Sequence, residues 1–104
     1  MLLTRTEETY LAIIIRLGEN AYGVPIRQAV FEKTGRRISY GALYFALDQL
    51  VKKGLVVKHA DDPTPVRGGR TKFIFSLTDT GRESLQETAD HDRALRADLK
   101  ELLG

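Results

Sequence analysis

Ser39-Tyr40-Gly41-Ala42-Leu43-Tyr44-Phe45-Ala46-Leu47-Asp48-Gln49-Leu50-Val51-Lys52-Lys53-Gly54-Leu55-Val56-Val57-Lys58-His59 is the stretch that decides the fold. Ser39 is a helix N-cap residue, and Leu43, Leu47 and Leu50 recur at i, i+4 and i+7, one face of a helix. Lys52-Lys53-Gly54 closes that helix, with cations at the negative end of its dipole and a glycine at the terminus. Leu55 to His59 then reads as a strand. Its partner is Thr71-Lys72-Phe73-Ile74-Phe75-Ser76-Leu77, with Phe73, Phe75 and Leu77 expected on one side and Lys72, Ile74 and Ser76 on the other. Ala60 to Arg70, with two prolines and two glycines, forms the long tip of this hairpin. Thr78 caps a last helix that runs toward Leu103.

Two further helices precede this unit. Thr4 and Glu7 have capping-box spacing, so a helix starts there and runs to Leu17 before Gly18. Its apolar set is Tyr10, Leu11, Ile13, Ile14, Ile15 and Leu17, broader than one core-facing stripe requires. Such a helix is either buried on two sides or meets another subunit. Gly23-Val24-Pro25 opens the next helix, Ile26, Ala29 and Val30 give its face, and Gly35 is a left-handed C-cap candidate. Three helices, a hairpin and a helix give a mainly α fold with a two-stranded β-hairpin. The plan is a winged helix-turn-helix over residues 1–78, followed by a C-terminal dimerisation helix over 79–104.

Composition bounds the function. The 104 residues carry 16 Lys and Arg against 14 Asp and Glu, with no cysteine and two histidines, His59 and His91. Disulfides, thiolate metal sites and cysteine nucleophiles are excluded, and no metal site or cofactor is expected. Tyr10 to Ile15 is an uncharged apolar run of six residues that none exceeds, far short of the ~20 residues of a membrane span. With Arg5, Glu7 and Glu8 interrupting the N-terminus, no signal peptide is read, and a cytoplasmic protein without membrane contact is the expectation. Residues 1–78 hold 12 Lys and Arg against 7 Asp and Glu, whereas residues 79–104 hold 4 against 7. A basic body with an acidic tail points to a polyanion partner on one part and a protein contact on the other. Asp61 and Asp62 are adjacent loop carboxylates without a His, Ser or Lys constellation, so no catalytic site is expected.

Tyr22-Gly23, Ser39-Tyr40-Gly41-Ala42-Leu43-Tyr44, Leu47, Leu50, Gly54-Leu55, Gly68-Gly69-Arg70 and Leu77-Thr78 with Gly81 form a specific combination. Through these residues the chain resembles the PadR family of bacterial transcriptional repressors. The resemblance implies a winged-helix DNA-binding domain that dimerises through its C-terminal helix and represses transcription. Ala42 departs from it, standing where the family usually has a small hydroxyl residue. Longer members also continue beyond one C-terminal helix.

The residues themselves point the same way. Ser39, Tyr40 and Gly41 lie at the start of the third helix, where free amides and the positive dipole end suit phosphate. With the leucines turned inward, Tyr40, Gly41, Tyr44 and Asp48 fall on outer faces. Gly41 costs about 1 kcal/mol relative to alanine in a helix. Close approach of the backbone to a groove wall explains that cost, as would packing against a neighbouring helix; Tyr44 reads equally well as core. Arg67, Gly68, Gly69, Arg70 and Lys72 form a basic wing suited to phosphates or a narrow minor groove, and Arg36 and Arg37 add phosphate candidates. The expected partners are double-stranded DNA and a second copy of the chain, joined through Leu11, Ile14, Ile15, Leu85, Leu95, Leu99, Leu102 and Leu103. The alternative is a winged helix used purely as a protein–protein module. A small-molecule effector between subunits is compatible with this plan, but no residue marks its site.

Overall fold

The computed structural model describes residues 1–61 and 72–104. Helix α1 spans Arg5–Leu17, and both halves of its capping box form: Glu7 N–H donates to Thr4 Oγ1 at 3.1 Å and Thr4 N–H to Glu7 Oε1 at 2.8 Å. A 3-10 turn over Gly18–Asn20 leads to α2 (Gly23–Thr34), which ends on Gly35 in the left-handed region at φ 73°. Helix α3 (Tyr40–Lys52) follows, then β1 (Val56–Ala60), β2 (Phe73–Leu77) and the 25-residue α4 (Asp79–Leu103).

The core is built around α1, which packs against α2, β2 and α4. This is why its apolar set is broad: the helix is buried on more than one side by its own protomer. Leu11 and Ile14, expected at a subunit interface, are 0% and 2% exposed and join Ile26, Leu43, Leu47 and Leu55 in the core. They are removed from the candidate interface. Ile15, at 43% exposure, stays on the surface.

Strands β1 and β2 are antiparallel, in register from Val56 opposite Leu77 to Ala60 opposite Phe73. Phe75 N–H also donates to the Ala21 carbonyl at 2.8 Å, tying the hairpin to the segment between α1 and α2. The expected alternation along β2 fails at two positions. Phe75 and Leu77 are buried, but Phe73 lies at the outer end of the hairpin, beyond the reach of the helical layer. Its ring is instead exposed beneath Lys58 Nζ, 5.0 Å from the centroid. Ile74, on the opposite face, is buried outside the main core cluster, so the middle of the strand is covered on both faces.

Helix α4 begins on the body and leaves it. Thr78 caps it by accepting from Gly81 N–H at 2.9 Å, and its hydroxyl donates to the Gly54 carbonyl. Gly81 lies so close to the Leu55 carbonyl that a side chain there would collide with backbone. Thr88 is buried and accepts from Leu3 N–H at 2.9 Å. This hydrogen bond accounts for a buried polar residue on α4 between Leu85 and Leu95. Beyond Asp92 every α4 residue is exposed, and the described residues extend 61 × 29 × 20 Å.

Candidate nucleic-acid interface

The third helix presents its start to solvent. Ser39 takes an extended conformation and its Oγ accepts from Ala42 N–H at 3.1 Å. The amides of Tyr40 and Gly41, in the first turn, have no partner within the helix. Tyr40 and Tyr44 are 41% and 44% exposed, so Tyr44 belongs to the surface rather than the core. Their rings stack with centroids 6.3 Å apart and planes 26° apart. The Tyr44 hydroxyl rests on Gly23, where a Cβ would run into it. Tyr40 is held from the other side: the Arg27 guanidinium lies 4.6 Å from its ring centroid while Arg27 Nε–H donates to the Ile38 carbonyl at 2.6 Å. The two tyrosines are therefore positioned by α2 before any ligand arrives.

Gly41 distinguishes the two explanations of its cost. A Cβ built there would meet nothing closer than Ser39 Oγ at 3.9 Å, so no neighbouring helix in the protomer demands a glycine. Around this open surface the cations gather. Arg27 and Arg37, with Val24, Gln28, Phe31 and Tyr40, line a shallow depression of about 180 Å³ between α2 and the start of α3. Arg37 lies 4.8 Å from the Phe31 ring centroid, and Arg36 is exposed beside it. Lys72, immediately before β2, sits 4.6 Å from the Tyr22 ring centroid, and its carbonyl accepts from Asp61 N–H at 2.9 Å. Tyr22 adjoins Gly23, so the base of the wing and the tyrosine face of α3 meet at one place. The expected wing residues Arg67, Gly68, Gly69 and Arg70 lie outside the described residues.

Two features escaped the reading of the sequence. Arg27 was not singled out, although it lies one residue from the Ile26 core position and pairs with Tyr40 across two helices. Phe45, 67% exposed, was not singled out either. Its position places it on the outer line of α3: Gly41, Phe45, Asp48 and Lys52 fall at i, i+4, i+7 and i+11, directly opposite the buried leucines, and all four are exposed.

Residues 11–87 match the transcriptional regulator PadR-like family. The chain belongs to that family. Its function is accordingly that of a PadR-like transcriptional regulator, not an enzyme. A PadR family transcription regulator from Clostridium difficile is 24% identical, with 97% of this chain and 100% of that one covered at a TM-score of 0.73. A PadR-like transcriptional regulator from Bacillus cereus is 19% identical over 94% and 90% of the two chains, at 0.68. Both likenesses concern the fold, which is a winged helix. A complex structure of hsRosR-SG is 28% identical over 97% of this chain and 88% of that one, with a TM-score of 0.67. No curated protein matches the sequence. Among the described residues no cluster of His, Cys, Asp or Glu could hold a metal ion, and no helix is long and apolar enough to cross a membrane.

A candidate association surface lies on the other side of the PadR-like body. Leu95, Leu99, Leu102 and Leu103 are 48%, 44%, 80% and 84% exposed along the free part of α4. Near the root of that helix, Ala12, Ile15, Ala29, Leu85 and Ala89 line an open groove of about 890 Å³ between α1, the end of α2 and α4. Leu85 is half-buried against its own core and serves as groove floor rather than as a free anchor.

Proposed function

We propose that the protein is a homodimeric, sequence-specific DNA-binding repressor that acts in the cytoplasm on a two-fold symmetric operator. The observation that carries this reading is the open first turn of α3. There a glycine that the protomer does not need is flanked by two pre-positioned exposed tyrosines and by Arg27, Arg37 and Lys72. Backbone amides, cations and a helix N-terminus suit phosphate, while the side chains behind them reach base edges in the major groove. In this reading residues 1–78 are the DNA-binding unit. Ser39, Tyr40, Gly41 and Tyr44 enter the groove, Arg36, Arg37 and Lys72 hold phosphates, and Arg67, Gly68, Gly69 and Arg70 extend the wing contact on sequence grounds. Residues 79–104 join the subunits: the leucines of one α4 seat on the other copy, with Ile15 and the groove at the root of α4 as receiver. An isolated arm with four exposed leucines has little reason to persist without such a partner. Two-fold symmetry places the recognition helices about 34 Å apart, one turn of the duplex.

The test is competition binding of wild type, Tyr40→Ala and Lys72→Ala to a selected duplex and to random DNA at several salt concentrations. Loss of a base contact in Tyr40→Ala lowers discrimination by about 1–3 kcal/mol. Loss of a phosphate contact in Lys72→Ala weakens both duplexes alike and reduces the log–log salt slope by about 0.9 per subunit. Salt-independent affinity, or no preference for any duplex, refutes the reading in favour of a protein–protein module.

A further inference from the structure

Phe45 is more exposed than any other large apolar side chain among the described residues except Leu102 and Leu103 at the end of α4. A single exposed apolar side chain needs no explanation by itself. Its surroundings supply one. Phe45 stands one turn after Gly41 on the line of α3 opposite the core, with exposed Ala42 beside it. The open space above Gly41 therefore continues into an apolar strip made by a glycine, an alanine and a phenylalanine ring. Asp48, the next residue on that line, repels phosphate, and the cations Arg27, Arg37 and Lys72 lie to the side, on α2 and at the base of the wing. The first part of the line, Gly41 and Phe45, thus faces bases, the flanking cations face the backbone, and Lys52 ends the line one turn beyond Asp48.

A phenyl ring offers no hydrogen bond to a base edge. The apolar group that the major groove presents is the C5-methyl of thymine. We propose that Phe45 is a specificity-determining residue that reads a thymine methyl group, so each half-site carries an A·T pair with its thymine beneath this ring. The inference rests on the DNA-binding reading above and adds the identity of a base and of the side chain that recognises it.

The experiment uses the full chain and a duplex selected from random DNA. Each thymine of the half-site is replaced in turn, symmetrically in both half-sites, by deoxyuridine, which lacks only the methyl group. Binding is measured by fluorescence anisotropy at fixed salt. Burial of one methyl-sized group is worth ~0.8 kcal/mol, or about fourfold in affinity. One thymine position is expected to weaken wild-type binding by about fourfold per half-site, hence roughly 15-fold for the symmetric pair. Phe45→Ala binds the thymine and uracil duplexes equally, and Phe45→Leu keeps part of the preference. Because the side chain is exposed, the circular dichroism spectrum and the melting temperature of both variants remain those of wild type. Wild-type binding that is selective yet indifferent to every uracil substitution overturns the inference while leaving the DNA reading intact. So does a uracil effect that persists in Phe45→Ala, or a change of oligomeric state in that variant, which would assign the ring to a protein contact. Absence of selective binding to any duplex overturns the DNA reading and this inference together.

Discussion

Gly41→Ala separates stability from function in a single substitution. The backbone at Gly41 is not in the left-handed region, and an added Cβ has only Ser39 Oγ at 3.9 Å for a neighbour, an ordinary van der Waals contact. None of the described residues resists the methyl group. Alanine also restricts the unfolded chain, which stabilises a compatible site by about 0.4–1 kcal/mol. For a domain of this size, that raises the melting temperature by about 2–8 °C. The comparison is made by scanning calorimetry or thermal circular dichroism at one protein concentration, since the midpoint of a dimer depends on concentration. Operator affinity moves the opposite way. A methyl group inserted where the helix backbone enters the groove forces the helix outward, and a loss of tenfold in affinity, about 1.4 kcal/mol, is expected for the selected duplex. A variant that is more stable and weaker in binding supports the assignment. A variant that is more stable and binds as wild type refutes it, because nothing then approaches Gly41. A less stable variant refutes the packing argument itself.

Gly81→Ala is the opposite case: its Cβ meets the backbone carbonyl of Leu55, which cannot yield, so a loss of at least about 1–3 kcal/mol is expected in denaturant unfolding. Replacing Leu95 and Leu99 by glutamate leaves the body folded, because both side chains are exposed, and gives a monomer by analytical ultracentrifugation; a surviving dimer places the interface elsewhere. Glu7 is held below the ordinary carboxylate range, chiefly by its hydrogen bond from Lys53 and also by the Thr4 backbone. It therefore contributes stability above that range that is lost as the pH falls through its folded value, and Glu7→Gln should flatten this acid limb. Glu8 is shifted upward, by burial first and by Asp92 second, so its contribution is present at low pH and lost as the pH rises; Glu8→Gln should be more stable than wild type at pH 7 by chemical denaturation.

Much of the fold was legible because local chemistry and tertiary packing agree. Thr4, Ser39 and Thr78 each cap the helix expected of them, and Gly18 and Gly35 stand where helices end. The leucine stripe of α3 fixed which side chains point outward, and with it most of the candidate interface. The misreadings have a common origin in contacts between distant segments. The apolar breadth of α1 cannot say whether a second layer comes from the same chain; here β2 and α4 supply it, and Leu11 and Ile14 vanish into the core. Thr88 carries no local sign of its role as acceptor for the Leu3 amide, 85 residues away. Arg27 was invisible because its partners, Tyr40 and the Ile38 carbonyl, lie across a turn. Phe45 shows the converse, an apolar residue whose helical position, rather than its type, reveals that it faces water.

The way α4 leaves the body gives the molecule mechanical leverage. The helix is fastened at its root by Gly81 against Leu55 and by Thr88 to Leu3, and past Asp92 it runs free. Those last eleven or so helical residues span ~16 Å at 1.5 Å per residue. A tilt of ~10° at the root displaces the far end by ~3 Å, close to the ~3.4 Å that separates successive base pairs along one strand. In a dimer joined through these arms, the distance between the two recognition helices is therefore geared to a pivot far from either of them. A change at Glu8, Thr88 or Asp92 that tilts the arm by this much would move one subunit by about a base step relative to the other. Distances between labels placed on the two α3 helices, measured across variants at the pivot, would expose that gearing; an unchanging distance would show the arm to be rigidly set.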